Sequence, residues 1–265
     1  MKHRMFKKFD KAEYINIYPL PCFHIGSPQS DALFIAEHID RVAVDPQSLW
    51  VSMGDGGECV TAGHSKGDHY TQLYNPQQQL DIMVKLLTPI KHRGLLGVRG
   101  NHGHRVYKAS GISFDKNLCD ALNIPYLGPG GFCGLQVGKQ KYDLFFHHGT
   151  DSGITLASKI SKAEHFGKFI DADALFTAHS HVAIDLPPLA LEQRRGVKLR
   201  HQYICGCGYD SRTGYAADKA YPPLLPAFLC VSFGGITKDQ SSVRYNSDGS
   251  HKVDGDYGKI EQSEV

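Results

Sequence analysis

Gly94-Leu95-Leu96-Gly97-Val98-Arg99-Gly100-Asn101-His102 is a short apolar run that ends at two polar side chains. A run of this length closed by glycine reads as a buried strand of the kind parallel sheets contain. The chain repeats the device. Tyr14 to Leu20 delivers Cys22 and His24, and Ser48 to Met53 delivers Gly54 and Asp55. Tyr142 to Phe146 delivers His147, His148 and Gly149, and Ala174 to Thr177 delivers His179, Ser180 and His181. In an α/β layer such strands end along one rim of the sheet, where these side chains should meet.

Between the strands, Ala32, Ile35, Ala36, Ile39, Val42 and Ala43 recur at three and four and predict an amphipathic helix from Asp31. Leu80, Met83, Val84, Leu87 and Ile90 predict a second, and shorter helices are expected over Ser113 to Leu122 and Ile154 to Phe166. Gly56 to Asn75, Ile124 to Gly134 and Gly206 to Pro226 read as loops. Beyond His181 the helices cease. Val182 to Leu191, Lys198 to Ile204 and Ala227 to Phe233 look like strands of a mainly antiparallel second sheet. The expected organisation is one domain over 1–245 followed by a polar tail over 246–265, with no internal repeat.

With 29 basic and 27 acidic residues among 265, the charge is too balanced for a nucleic-acid coat protein, although a local basic groove is compatible with it. Seven cysteines, at 22, 59, 119, 133, 205, 207 and 230, are odd in number and show no repeated spacing, which argues for a reducing compartment and against a disulfide framework. The basic start is not followed by an apolar stretch, and the uncharged stretches are broken by Gly and Pro. A cytoplasmic protein that does not engage a membrane is expected.

Taken in order, Cys22-Phe23-His24, Gly54-Asp55, Gly100-Asn101-His102-Gly103, His148-Gly149 and Ala178-His179-Ser180-His181 resemble the calcineurin-like metallophosphoesterase superfamily, whose pattern runs Asp-x-His, Gly-Asp, Gly-Asn-His-(Asp/Glu), His and Gly-His-x-His. The resemblance covers roughly residues 14 to 235. Tyr215-Ala216-Ala217 with Tyr221-Pro222-Pro223 looks like versions carried by bacteriophages, which would place the protein in a host cytoplasm. The resemblance implies an α/β fold, a four-layer α/β/β/α sandwich of two mixed sheets flanked by helices. It also implies two divalent metal ions, Mn2+, Zn2+ or Fe, that share a hydroxide and clamp a phosphate ester. Asp55 would bridge the ions, His24 and His181 would serve the first, and Asn101, His148 and His179 the second. His102 would be the catalytic acid that protonates the leaving oxygen, and Arg105 and His104, just past it, are candidate phosphate contacts. His147, next to the expected ligand, should face the opposite side of its strand as a hydrogen-bonded structural histidine.

Two positions depart from the pattern. Cys22 stands where an aspartate is expected; as a thiolate ligand it would favour zinc or iron over magnesium, and as a neutral thiol it would leave the first metal weak or absent. Gly103 stands where an acid should orient His102. The leading expectation is therefore a metal-dependent phosphoesterase, with phosphodiesters of nucleotides or nucleic acid such as DNA as substrates. The alternative is a degenerate fold kept as a binding module. A structural zinc protein fits least, because Asn101 and a shared Asp55 are poor ligands for a closed zinc site.

Overall fold

A computed structural model describes residues 4–61, 70–150, 153–193, 196–220 and 222–254, without the side chains at 4, 193, 196, 215 and 254. It shows a mixed α/β fold, a curled sheet with flanking helices. The strands are β1 (Arg4–Phe9), β2 (Tyr14–Leu20), β3 (Ser48–Ser52), β4 (Gly94–Gly97), β5 (Gly130–Val137), β6 (Gln140–His147), β7 (Ala174–Thr177), β8 (Ala183–Gln193), β9 (Gly196–Cys207), β10 (Ala227–Gly234), β11 (Gln240–Asn246) and β12 (His251–Asp254). The helices are α1 (Ala32–Val44), α2 (Pro76–Leu87), α3 (Asn101–Ser110), α4 (Phe114–Leu122), α5 (Leu156–Gly167) and the short α6 (Gly214–Asp218).

Along the sheet the order is β1-β5-β6-β7-β9-β10-β2-β3-β4, with β8 on β9 and β11 and β12 beyond β10. Residue parity explains how it curls. Ile15 and Ile17 of β2, Val51 of β3, Tyr142, Leu144 and Phe146 of β6, Phe176 of β7, Tyr203 and Cys205 of β9 and Val231 of β10 share one core, so both ends of the sheet turn the same face inward. The alternate residues Tyr18, Leu20, Trp50 and Phe228 pack outward with residues of α1, α2 and α4, and Phe145 and Leu175 pack with Phe166 of α5. Asp31 caps α1 by accepting from the Phe34 amide, and Asn75 with Gln78 forms a capping box on α2.

Several readings are corrected. The late strands do not form a separate antiparallel sheet: β9 runs parallel to β7 and meets β10 through two residue pairs, Ala227 with Cys207 and Phe228 with Gly206. The loop assigned to Ile124–Gly134 gives way to β5 at Gly130, a strand hidden by its glycines; a side chain at Gly134 would strike the Phe6 ring of β1, which pairs parallel with β5. A helix, α3, follows Gly100 directly, and its few apolar residues leave no periodic signal. Of the stretch expected to be a tail, His251–Asp254 forms β12 and pairs with β11, while 255–265 lie outside the described residues. Among the described residues no helix is long and apolar enough to cross a membrane.

Candidate metal centre

The loops after β2, β3, β4, β6 and β7 converge at one rim. The turn at 22–25 zips onto 54–56: Cys22 N–H donates to Gly54 O (3.0 Å), His24 N–H to Asp55 O (3.1 Å) and Ile25 N–H to Gly56 O (2.9 Å). Two glycines allow the β3 and β4 loops to touch. Gly54 has φ +87°, and a side chain there would run into the Gly100 backbone, as one at Gly100 would run into Asp55. Cys22, His24, Asp55, His179 and His181 all hold left-handed backbone, with φ between 50° and 68°. That region is costly for residues with a Cβ, so surrounding contacts must enforce it. His148 needs no such device. It continues the inward parity of Leu144 and Phe146, whereas His147 turns out against the Phe166 ring and accepts from the Gly149 amide at 2.8 Å.

The His148 ring fixes one half of the site. Its Nδ1 lies 2.7 Å from Met53 O, a pure acceptor, and so carries the proton. Nε2 then presents a lone pair to Asp55 Oδ2 at 2.9 Å and to Asn101 Oδ1 at 3.0 Å. Asp55 Oδ1 accepts from the His102 amide at 2.8 Å, and His179 Nδ1 stands 4.0 Å from Asp55 Oδ2. Three electron-rich atoms facing one point require a cation between them, either a proton or a metal.

The second half repeats the pattern. His24 Nδ1 donates to Glu58 Oε2 at 2.7 Å, so its Nε2 lone pair meets His181 Nε2 at 3.1 Å. The Tyr209 ring covers both imidazoles. The ligand atoms of Cys22, His24 and His181, and those of Cys22, Asp55 and His148, lie within 4.8 Å of one another. Cys22 thus belongs to both groups, at the position a bridging ligand would hold. Lys159 of α5, almost fully buried, fastens the 179–181 turn by donating to Ser180 O at 2.7 Å.

Burial would push the Asp55 carboxyl up, but the His148, His102 and His24 imidazoles outweigh it and hold it well below the usual carboxylate range. Glu58 is lowered in the same way, burial being outweighed by His24 and His102. Burial lowers His148, yet Asp55 more than restores it, so this ring is raised. His181 lies well below the ordinary histidine value and His102 falls to about 4, both chiefly through burial. Burial and the nearby Asp55 push the Cys22 thiol well up, so without a cation it stays neutral.

The donor set fits divalent metal: His24 and His148 with their second nitrogens anchored, further imidazoles, a buried carboxylate, an amide oxygen and a thiol. The structure brings together Cys22, His24, Asp55, Asn101, His102, His148, His179 and His181. Arg105 lies on His102, its guanidinium 3.0 Å from Nε2, while His104 stacks on Tyr107 and lies outside the cluster. Glu58 escaped the sequence reading, although an acid three residues past Asp55 was its available signal. It binds His24 directly, and its own carbonyl takes the His102 Nδ1 proton at 2.8 Å. Tyr209 carried no signal. Tyr221 is outside the described residues. A separate cleft lined by Phe6, Lys141, Asp173, Lys198, His201 and Lys238 shares no residue with the cluster.

No protein-family model and no curated protein matches the sequence. Among solved structures, the chain is similar to Vps29 from Entamoeba histolytica, wild type complexed with Zn2+, at 13% identity and TM-score 0.47 over 91% of this chain and 97% of that one. It is similar to Vacuolar Protein Sorting 29 from Cryptosporidium parvum at 12% identity and TM-score 0.48, over 91% and 96%. A predicted phosphoesterase from Streptococcus pneumoniae matches at 12% identity and TM-score 0.39, over 91% and 98%.

Proposed function

We propose that the chain is a metal-dependent phosphoesterase of the calcineurin-like kind, its curled sheet forming the inner layers of an α/β/β/α sandwich. The observation that carries this reading is the pairing of His148 Nε2 with Asp55 Oδ2 at 2.9 Å while Nδ1 is committed to Met53 O. Such a buried ring nitrogen and carboxylate, beside a second imidazole pair and a shared thiol, form a donor set built for cations. Cys22 belongs to both groups and Asp55 to the one with His148; His24 and His181 would hold one ion, and Asp55, Asn101, His148 and His179 the other. When bound, two such ions polarise a phosphoryl oxygen and lower the pKa of water.

The protein's own groups do the rest. Arg105 shifts from His102 to a phosphate oxygen of the substrate, which frees Nε2. The anionic phosphate raises the proton affinity of the imidazole, so the freed Nε2 takes up a proton from water, and His102 then passes that proton to the leaving oxygen while Nδ1 keeps its own. Glu58 keeps the ring oriented through Nδ1, work that the residue at 103 does not perform. Phosphodiesters of nucleotides or nucleic acid are the proposed substrates. A binding module is the second reading, favoured by the neutral, buried Cys22 thiol.

Protein reconstituted with manganese or zinc should be assayed on an aryl phosphodiester, an aryl phosphomonoester and single-stranded DNA, beside Asp55→Ala and His102→Ala. The expected result is diester cleavage lost in Asp55→Ala and reduced roughly 10²–10⁴-fold in His102→Ala for a poor leaving group. Metal binding without cleavage of any of the three would reject the phosphoesterase and leave the binding module.

A further inference from the structure

The N-terminus of α3 presents Asn101 and His102, and its amides must find acceptors. Asp55 Oδ1 takes the His102 amide, as described. The amide of the N-cap residue, Gly100, donates to Asp115 Oδ2 at 3.2 Å. Asp115 belongs to the first turn of α4 and is 2% exposed, and its other carboxylate oxygen is buried with no hydrogen-bond partner. Its carboxyl occupies the space beside Gly103: a Cβ at 103 would collide with Asp115 Oδ2. Gly103 is the third residue of α3, the position from which a helix's own Glu or Gln reaches back to the N-cap amide.

We propose that Asp115 is a positioning residue for the metal centre. It reaches from α4 through the room that Gly103 leaves, caps α3 at Gly100, and so holds Asn101 and His102 at the rim. The two positions form an exchangeable pair: an acid supplied from the neighbouring helix stands in for one supplied by α3 itself. The consequence for the centre rests on the metal-binding reading above; the cap itself does not.

The test exchanges the acid between positions. Asp115→Ala, Gly103→Glu, the double variant and Asp115→Asn are compared with wild type by amide hydrogen exchange at Gly100 and by zinc affinity from calorimetry. Melting curves without metal confirm that each variant folds. Asp115→Ala should lose Gly100 protection and weaken zinc binding roughly 10–100-fold, the range for loss of a supporting partner. Gly103→Glu alone should do at least as badly through the collision. The double variant should recover both readouts to within about threefold of wild type, because the new Glu rebuilds the cap within α3. Asp115→Asn, which keeps an acceptor oxygen, should stay close to wild type. A double variant no better than its worse parent, or an Asp115→Ala protein with wild-type zinc affinity, overturns the proposal. If wild-type protein binds no zinc, the metal reading and the positioning role fall together, and Gly100 exchange alone still decides the cap.

Discussion

The Glu58 carboxylate lies between two imidazoles, accepting from His24 Nδ1 at 2.7 Å, with His102 Nδ1 3.5 Å from its other oxygen. Its carboxylate fixes the tautomer that points His24 Nε2 into the site. Glu58→Gln should therefore reduce zinc affinity roughly 10–100-fold with little change in fold, which a competition titration against a chelating dye would measure. Cys22→Asp tests the thiol directly. Replacing sulfur by the harder oxygen should shift preference from zinc toward manganese, read as the ratio of metals retained after equilibration with both. An unchanged ratio would mean the sulfur makes no bond to the ions. The candidate ligands that the structure gathers were legible in the sequence, since each follows a short apolar run. Glu58 and Asp115 were not, because each acts across space on residues 34 and 15 positions away.

At the level of elements, α1 carries a titration remote from the site. His38 is fully buried, both ring nitrogens lack hydrogen-bond partners, and the ring stacks on Phe228 at 4.4 Å. Burial, aided by Arg41, lowers it from 6.5 to about 3. The folded protein thus keeps this ring neutral while the unfolded chain protonates it. Its contribution to stability is whole above pH 6.5 and is lost as pH falls toward 3. At pH 5 the loss is about 2 kcal/mol relative to pH 8. His38→Phe should retain the stack and reduce the pH 8 to pH 5 drop in urea unfolding free energy by about that amount; an equal drop in both proteins would contradict the assignment. Helices with a one-sided apolar stripe, such as α1 and α2, announce themselves in sequence. The helix α3 does not, because its conformation is imposed at its start by Asp55 and Asp115 and its outer face is exposed. Edge strand β1 and glycine-rich β5 escape for a related reason: their fit depends on each other, Phe6 against Gly134.

Across the whole molecule, the candidate ligands divide between the two arms of the sheet: Cys22, His24, Asp55 and Asn101 come from the β2–β4 arm, and His148, His179 and His181 from the β6–β7 arm. In the sheet order those arms are joined through β9 and β10, which share two residue pairs. Ions held between them would staple the arms together. Free zinc at a hundredfold excess over its dissociation constant should raise the unfolding free energy by about 2.7 kcal/mol, and a chelator should return it to the metal-free value. Scanning calorimetry checks this, and zinc-independent melting would exclude a site that spans the arms. The general α/β layering was readable from alternating strands and helices; the joining of early and late strands into one sheet was not, because pairing partners far apart in sequence leave no local mark. The left-handed residues at the rim have a further consequence for anyone selecting hardier variants. Each stores conformational energy of order 1–3 kcal/mol that glycine would release. Selection for thermal endurance alone would therefore tend to erase the histidines and the aspartate first, trading durability against the candidate metal centre.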